Sequence, residues 1–144
     1  MKKFNPMNIE KFNKLTGKKA NCMLFAFGTT KDDNMSILDY NLWGFRTTPI
    51  REIVEKAGAE FGGLKLRKID SLDVAPKDKY LIGFYLKKPN DEGKEYDYHF
   101  IRRELDGTWV EKPNWLDSAC EANLVDLRLE FGVDPVYFVV EEVL

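Results

Sequence analysis

Tyr96-Asp97-Tyr98-His99-Phe100-Ile101-Arg102-Arg103-Glu104, then Leu105-Asp106-Gly107, then Thr108-Trp109-Val110-Glu111-Lys112, is the stretch whose reading decides the fold. Aromatic and β-branched residues lie on both sides of an Asp-Gly pair, and Gly accepts the positive φ that a tight turn demands. Residues 96–104 and 108–112 therefore read as the two strands of an antiparallel hairpin. Working outward, Tyr80 to Leu86 reads as a buried strand and Leu64 to Ile69 as a strand of period two. Asp134-Pro135 introduces a terminal strand from Val136 to Val143, and Ser118 to Leu129 holds a short helix before Gly132. The Gly62-Gly63 pair lacks the surroundings of a phosphate loop and reads as a turn.

The N-terminal part has a different period. Met7, Ile9, Phe12 and Leu15 recur at helical spacing between Asn5 and Thr16, and Gly17 is a fitting stop. The apolar run from Ala20 to Gly28 has an Asn suited to an N-cap and good helix formers, although a short buried strand fits as well. Thr29 to Asn41 is polar and Asp-rich, a loop or lid. Thr48 as N-cap and Pro49 at the first helical position open the clearest helix, with Ile50, Ile53, Val54 and Ala57 on one face. Helices first and a mostly antiparallel sheet afterwards define an α+β class.

Composition sets the outer limits. The 144 residues carry 22 Lys plus Arg against 24 Asp plus Glu, so one domain spanning 1–144 is expected and no concentrated basic face for nucleic acid. Hydrophobic residues at 44% exclude a disordered chain. One His and two Cys cannot build a Cys₄ or Cys₂His₂ zinc site, and no metal or cofactor is expected. Asn8, Glu10, Lys11, Asn13 and Lys14 interrupt any signal-peptide core behind Lys2-Lys3, and no later stretch is long enough to span a bilayer. The expected location at synthesis is the cytoplasm with reduced thiols, and any export would use a route without a signal peptide.

Within those limits the single His99 and the upstream Cys22 are the residues able to carry chemistry. A thiol at a helix start feels the positive end of the helix dipole, and a neighbouring imidazole favours the thiolate further. The Cys22 backbone amide would then be one oxyanion donor. A Cys among Met, Leu and Phe is otherwise a small core hydrophobe. The hairpin register selects the third member. A two-residue Asp106-Gly107 turn pairs Leu105 with Thr108 and sets His99 opposite Asn114. A Leu105-Asp106-Gly107 turn with a bulge pairs Glu104 with Thr108 and puts Glu111 on the face of His99. Either side chain can fix the imidazole tautomer. Cys120 reads as a structural thiol in a helix, Asp97 as a solvated carboxylate, and Arg102-Arg103 as solvated positions.

Asn21-Cys22-Met23-Leu24-Phe25-Ala26 and Asp97-Tyr98-His99-Phe100-Ile101-Arg102, with Asp106-Gly107-Thr108-Trp109, resemble papain-like enzymes of the compact bacterial and phage branch, the NlpC-type and CHAP peptidoglycan amidases and endopeptidases. A group of small bacterial proteins reads roughly Asn-Cys-Tyr-x-Tyr-Ala, then Asp-Tyr-His-Phe-Tyr-Arg, then Asp-Gly-x-Trp-Ser-His-Lys-Pro. The resemblance implies a papain-like fold with N-terminal helices on a mostly antiparallel sheet. It implies Cys22 as nucleophile, His99 as general base and acid, and the residue two after Trp109 as orienter. That residue is Glu111 here, where the pattern has a His; a papain-like third Asn would favour Asn114 instead, and Glu111 ranks narrowly ahead. The implied reaction is thiol-dependent cleavage of an amide or isopeptide bond, with a peptide or peptidoglycan stem peptide as substrate. The rival from another class is a papain-like fold that catalyses nothing and binds a protein partner, as an inhibitor or an anti-defence or immunity-type factor. Thiol redox chemistry ranks third, because no Cys-x-x-Cys spacing exists.

Overall fold

An antiparallel sheet of six strands organises the computed structural model of this chain, which describes residues 3–16, 21–29, 48–87, 97–114 and 117–144. The strands are β1 (Leu64–Ile69), β2 (Leu81–Lys87), β3 (Asp97–Arg103), β4 (Trp109–Glu111), β5 (Cys120–Glu121) and β6 (Val136–Val143), in the spatial order β1-β6-β2-β3-β4-β5. The terminal strand β6 thus inserts between β1 and β2, pairing Leu64 with Val143 on one side and Leu81 with Val139 on the other. Four helices complete the α+β arrangement: α1 (Ile9–Thr16), α2 (Cys22–Ala26), α3 (Ile50–Gly62) and α4 (Leu124–Phe131). Among the described residues no helix is long and apolar enough to cross a membrane.

The deciding hairpin takes the bulged register. Glu104 N donates to Thr108 O at 2.8 Å and Gly107 N to Glu104 O at 3.0 Å, with Gly107 at φ 92°. Ile101 therefore faces Glu111, Arg102 faces Val110 and Arg103 faces Trp109. The extra turn residue moves each partner by one place, and that shift decides which side chain meets His99.

Alternation along β3 divides its side chains between two faces. Phe100 joins Ile82 and Phe84 of β2, Phe138 and Val140 of β6, and Leu64 and Leu66 of β1 under α2 and α3. Ile53, Val54 and Ala57 of α3 are fully buried there, as their spacing predicts. Each such side chain contributes about 1.5–3 kcal/mol on leaving water. Gly58 lies inside α3 rather than at its end: a Cβ there would stand 2.6 Å from Leu66 Cδ1, so the missing side chain lets the helix rest on β1. The cap differs from expectation too. Pro49 itself, with ψ 140°, is the N-cap and no side chain bonds the first turn.

The opposite face is covered by α4, whose Leu127 and Phe131 pack on Tyr85 of β2 and Ile101 of β3. The short helix expected within residues 118–129 is the start of α4, while Cys120, expected in that helix, lies ahead of it. Cys120-Glu121 pairs with β4, and Asn123, accepting from Asp126 N at 3.1 Å, starts α4 only afterwards. Cys120 is therefore a strand residue. At the N-terminus, Asn8 accepts from Lys11 N at 2.9 Å and delays α1 to Ile9, four residues beyond the expected Asn5. Gly17, most of the Thr29–Asn41 segment, Tyr96 and Trp115 lie outside the described residues.

Candidate functional site

Cys22 opens α2 because Asn21 stops the chain from being helical one residue earlier. Asn21 has extended φ −86° and ψ 168°, and its side chain accepts from Leu24 N at 2.7 Å. That cap settles the helix over the strand reading of the run. Met23, Leu24, Phe25 and Ala26 are buried behind it, while Cys22 is half-buried. The Cys22 amide heads the helix, where no intrahelical acceptor exists for it.

His99 comes from the middle of the sheet, directly opposite Tyr85 in the β2–β3 register. The residue is only 5% exposed, so its ring nitrogens need protein partners. Nε2 lies 2.9 Å from Glu111 Oε1, and the Cys22 thiol is close enough to act on the ring's protonation. Burial is the largest single influence and lowers the imidazole pKa. The hydrogen bonds and charges of Cys22 and Glu111 together outweigh it and lift the value to about 9, so the ring is protonated at neutral pH.

Of the candidate residues, then, Cys22, His99 and Glu111 come together, with the imidazole bonded to the carboxylate and the thiol beside the ring. Asn114 does not join them. It is exposed, its amide donates to Asp117 and its oxygen accepts from Asp117 N at 2.8 Å, so it closes a local turn after β4. Cys120 stands opposite Glu111 in the β4–β5 pair; burial first, then the charges of Glu111 and Asp117, push its thiol up and keep it neutral. Asp97 is exposed at the mouth of a cavity of about 220 Å³ that His99, Glu111, Pro113, Glu130 and Phe131 also line. Among the described residues no cluster of His, Cys, Asp and Glu is arranged to hold a metal ion.

Two residues around the site escaped the sequence reading. Arg102 is 1% exposed rather than solvated. Its Nη1 donates to Phe25 O in α2 at 2.7 Å and its Nη2 to Met7 O at 3.0 Å and Glu104 Oε1 at 2.7 Å. Its guanidinium also sits 4.7 Å over the Phe25 ring. Arg102 thus ties the helix that starts with Cys22 to the strand that carries His99. Phe131 of α4 stacks on His99 at 5.8 Å with the two planes 5° apart.

The fold and site together define an α+β protein that gathers a helix-borne thiol, a strand-borne imidazole and a hairpin carboxylate, the last two hydrogen-bonded. No protein-family model, no curated protein and no solved structure matches the chain.

Proposed function

We propose that this chain is a papain-like thiol hydrolase that cleaves an amide or isopeptide bond through Cys22 and His99, with Glu111 as the orienting carboxylate. The row Cys22–His99–Glu111 carries the reading, because Nε2 bound to Glu111 leaves Nδ1 for the thiol. Cys22 Sγ, as thiolate, forms a bond to the scissile carbonyl carbon, and the oxyanion lies beside the Cys22 backbone amide. Collapse breaks the C–N bond, and the leaving amine takes the proton from His99 Nδ1. Water then gives a proton to His99 as its oxygen attacks the thioester carbon. The carboxylic acid departs and ionises, restoring the Cys22 thiolate and the His99 imidazolium. Glu111 keeps its hydrogen bond to Nε2 throughout. The sequence resemblance makes peptidoglycan stem peptides and cross-links the first substrate class to try.

The partner-binding reading draws support from one surface. Val125 and Leu129 lie one turn apart on α4 and are 70% and 78% exposed. It gives no account of why a buried imidazole should join a thiol to a carboxylate, and it ranks second.

Iodoacetamide labelling across about pH 5 to 9, resolved by peptide mass, tests the enzyme reading. Cys22 should label well below the usual thiol range near about pH 8.5, ahead of Cys120, and slow at least about tenfold in His99→Ala. Equal labelling of the two thiols, or no effect of His99→Ala, overturns it.

A further inference from the structure

The row of three side chains has a neighbour that it does not use. Tyr85 and His99 are cross-strand partners, so both rings project to the face under α4, and Phe131 lies against both. It stacks on Tyr85 at 5.1 Å with planes 26° apart, and on His99 at 5.8 Å with planes 5° apart. Phe131 is itself 6% exposed and forms one wall of the cavity beside the imidazole. The near-parallel His99 and Phe131 rings, with centroids 5.8 Å apart, form an offset stack at the outer edge of the about 6 Å range in which an aromatic ring favours a positive charge on its partner.

We propose that Phe131 is a positioning residue of this site: its ring fixes the plane of the His99 imidazole and favours its protonated form. The catalytic consequence rests on the thiol-hydrolase reading; the effect on the imidazole does not. The groups that face or flank His99 are Cys22 from α2, Tyr85 from β2, Asp97 on β3 itself, Glu111 from β4 and Glu130 from α4. A single hydrogen bond from Nε2 to Glu111 does not by itself fix the tilt of the ring. Phe131 supplies the missing constraint from the flat side. Leu127, one turn earlier on α4, anchors the helix in the same cluster.

His99 is the only histidine in the chain, so its ring resonances are unambiguous in an NMR titration. The titration is run on the full chain with wild type, Phe131→Leu, Phe131→Met and Phe131→Tyr. Leu and Met keep an apolar filling of similar size, and Tyr keeps the aromatic face. The expected result is a fall in the His99 pKa of about half to one and a half pH units in the Leu and Met variants, with recovery in the Tyr variant. A His99 titration unchanged in whichever of Phe131→Leu and Phe131→Met folds overturns the proposal. So does a fall that the Tyr variant shares in full. Should both aliphatic variants fail to fold, titration of the Tyr variant alone decides, since a retained wild-type value is required. If wild-type Cys22 labelling ignores His99→Ala, the hydrolase reading fails while the ring titration still decides the role of Phe131.

Discussion

The two faces of β3 are held in opposite ways. On the face under α2, Arg102 is sealed from solvent and spends its guanidinium on two backbone carbonyls and one carboxylate, so the helix bearing Cys22 is fastened by directional bonds. On the other face, α4 covers His99 with the ring of Phe131 and with Leu127, while Val125 and Leu129 face outward. The thiol side is therefore a rigid anchor, and the imidazole side rests on a two-turn helix with modest apolar contact. Disturbance of the anchor should cost stability, whereas disturbance of α4 should alter the imidazole before it alters the fold.

The largest effect is expected at Arg102. Arg102→Met removes a buried charge around which Glu104 and the Phe25 and Met7 carbonyls are arranged, leaving the half-buried Glu104 carboxylate without its cation. A loss of about 3–5 kcal/mol in urea denaturation is expected, the usual scale for breaking a buried pair from one side. Arg102→Lys should recover only part of it, because one ammonium cannot serve three acceptors in a planar fork. A loss below about 1 kcal/mol would place the two faces on an equal footing and break the comparison.

The next effect lies on the His99 side and depends on pH. The imidazole pKa rises from 6.5 to about 9 on folding, so the native state binds more protons than the unfolded chain between those values. His99 therefore contributes its full stabilisation below about pH 6.5, and this fades as pH rises through about 9. The stability difference between wild type and His99→Gln should shrink across that window by no more than about 1.4 kcal/mol per pH unit. A difference that grows with pH would reverse the assignment of charge on the ring. Glu111→Gln, which keeps an acceptor at the same place without the charge, should narrow the window from its upper end.

Much of this arrangement was legible in the residues, and what escaped did so for physical reasons. Asp106-Gly107 marked the hairpin, but an Asp-Gly pair serves both a two-residue turn and a bulged one, so His99 could face Asn114 or Glu111 until Glu104 was seen to bond Thr108. Asn21 marked the helix start through its side chain, and α2 begins where that cap requires. Arg102 was missed because an Arg-Arg pair reads as surface, although the signal was present: positions 98, 100 and 102 share a face, and Tyr98 and Phe100 make that face apolar. Phe131 had no local signal at all. Its contact with His99 joins residues 32 positions apart through an α4 that period alone does not orient, since Leu124, Leu127 and Phe131 lie on one side of that helix and Val125 and Leu129 on another.

The second apolar side of α4 gives the smallest prediction and the one that bears most on the rival reading. Val125 and Leu129 contribute little to the fold, being mostly in water, so Val125→Ser with Leu129→Ser should shift stability by no more than about 0.5 kcal/mol. The same double substitution should leave the His99 titration unchanged, because Leu127 and Phe131, on the inner side of α4, hold the ring contact. A thiol hydrolase of the proposed kind should keep its Cys22 labelling profile through the change. A markedly larger stability loss, or a shifted His99 titration, would mean that the outer side of α4 packs on something in solution. The imidazole would then answer to a partner as well as to Phe131, and the loosely held face of β3 would be the route by which that partner acts on Cys22.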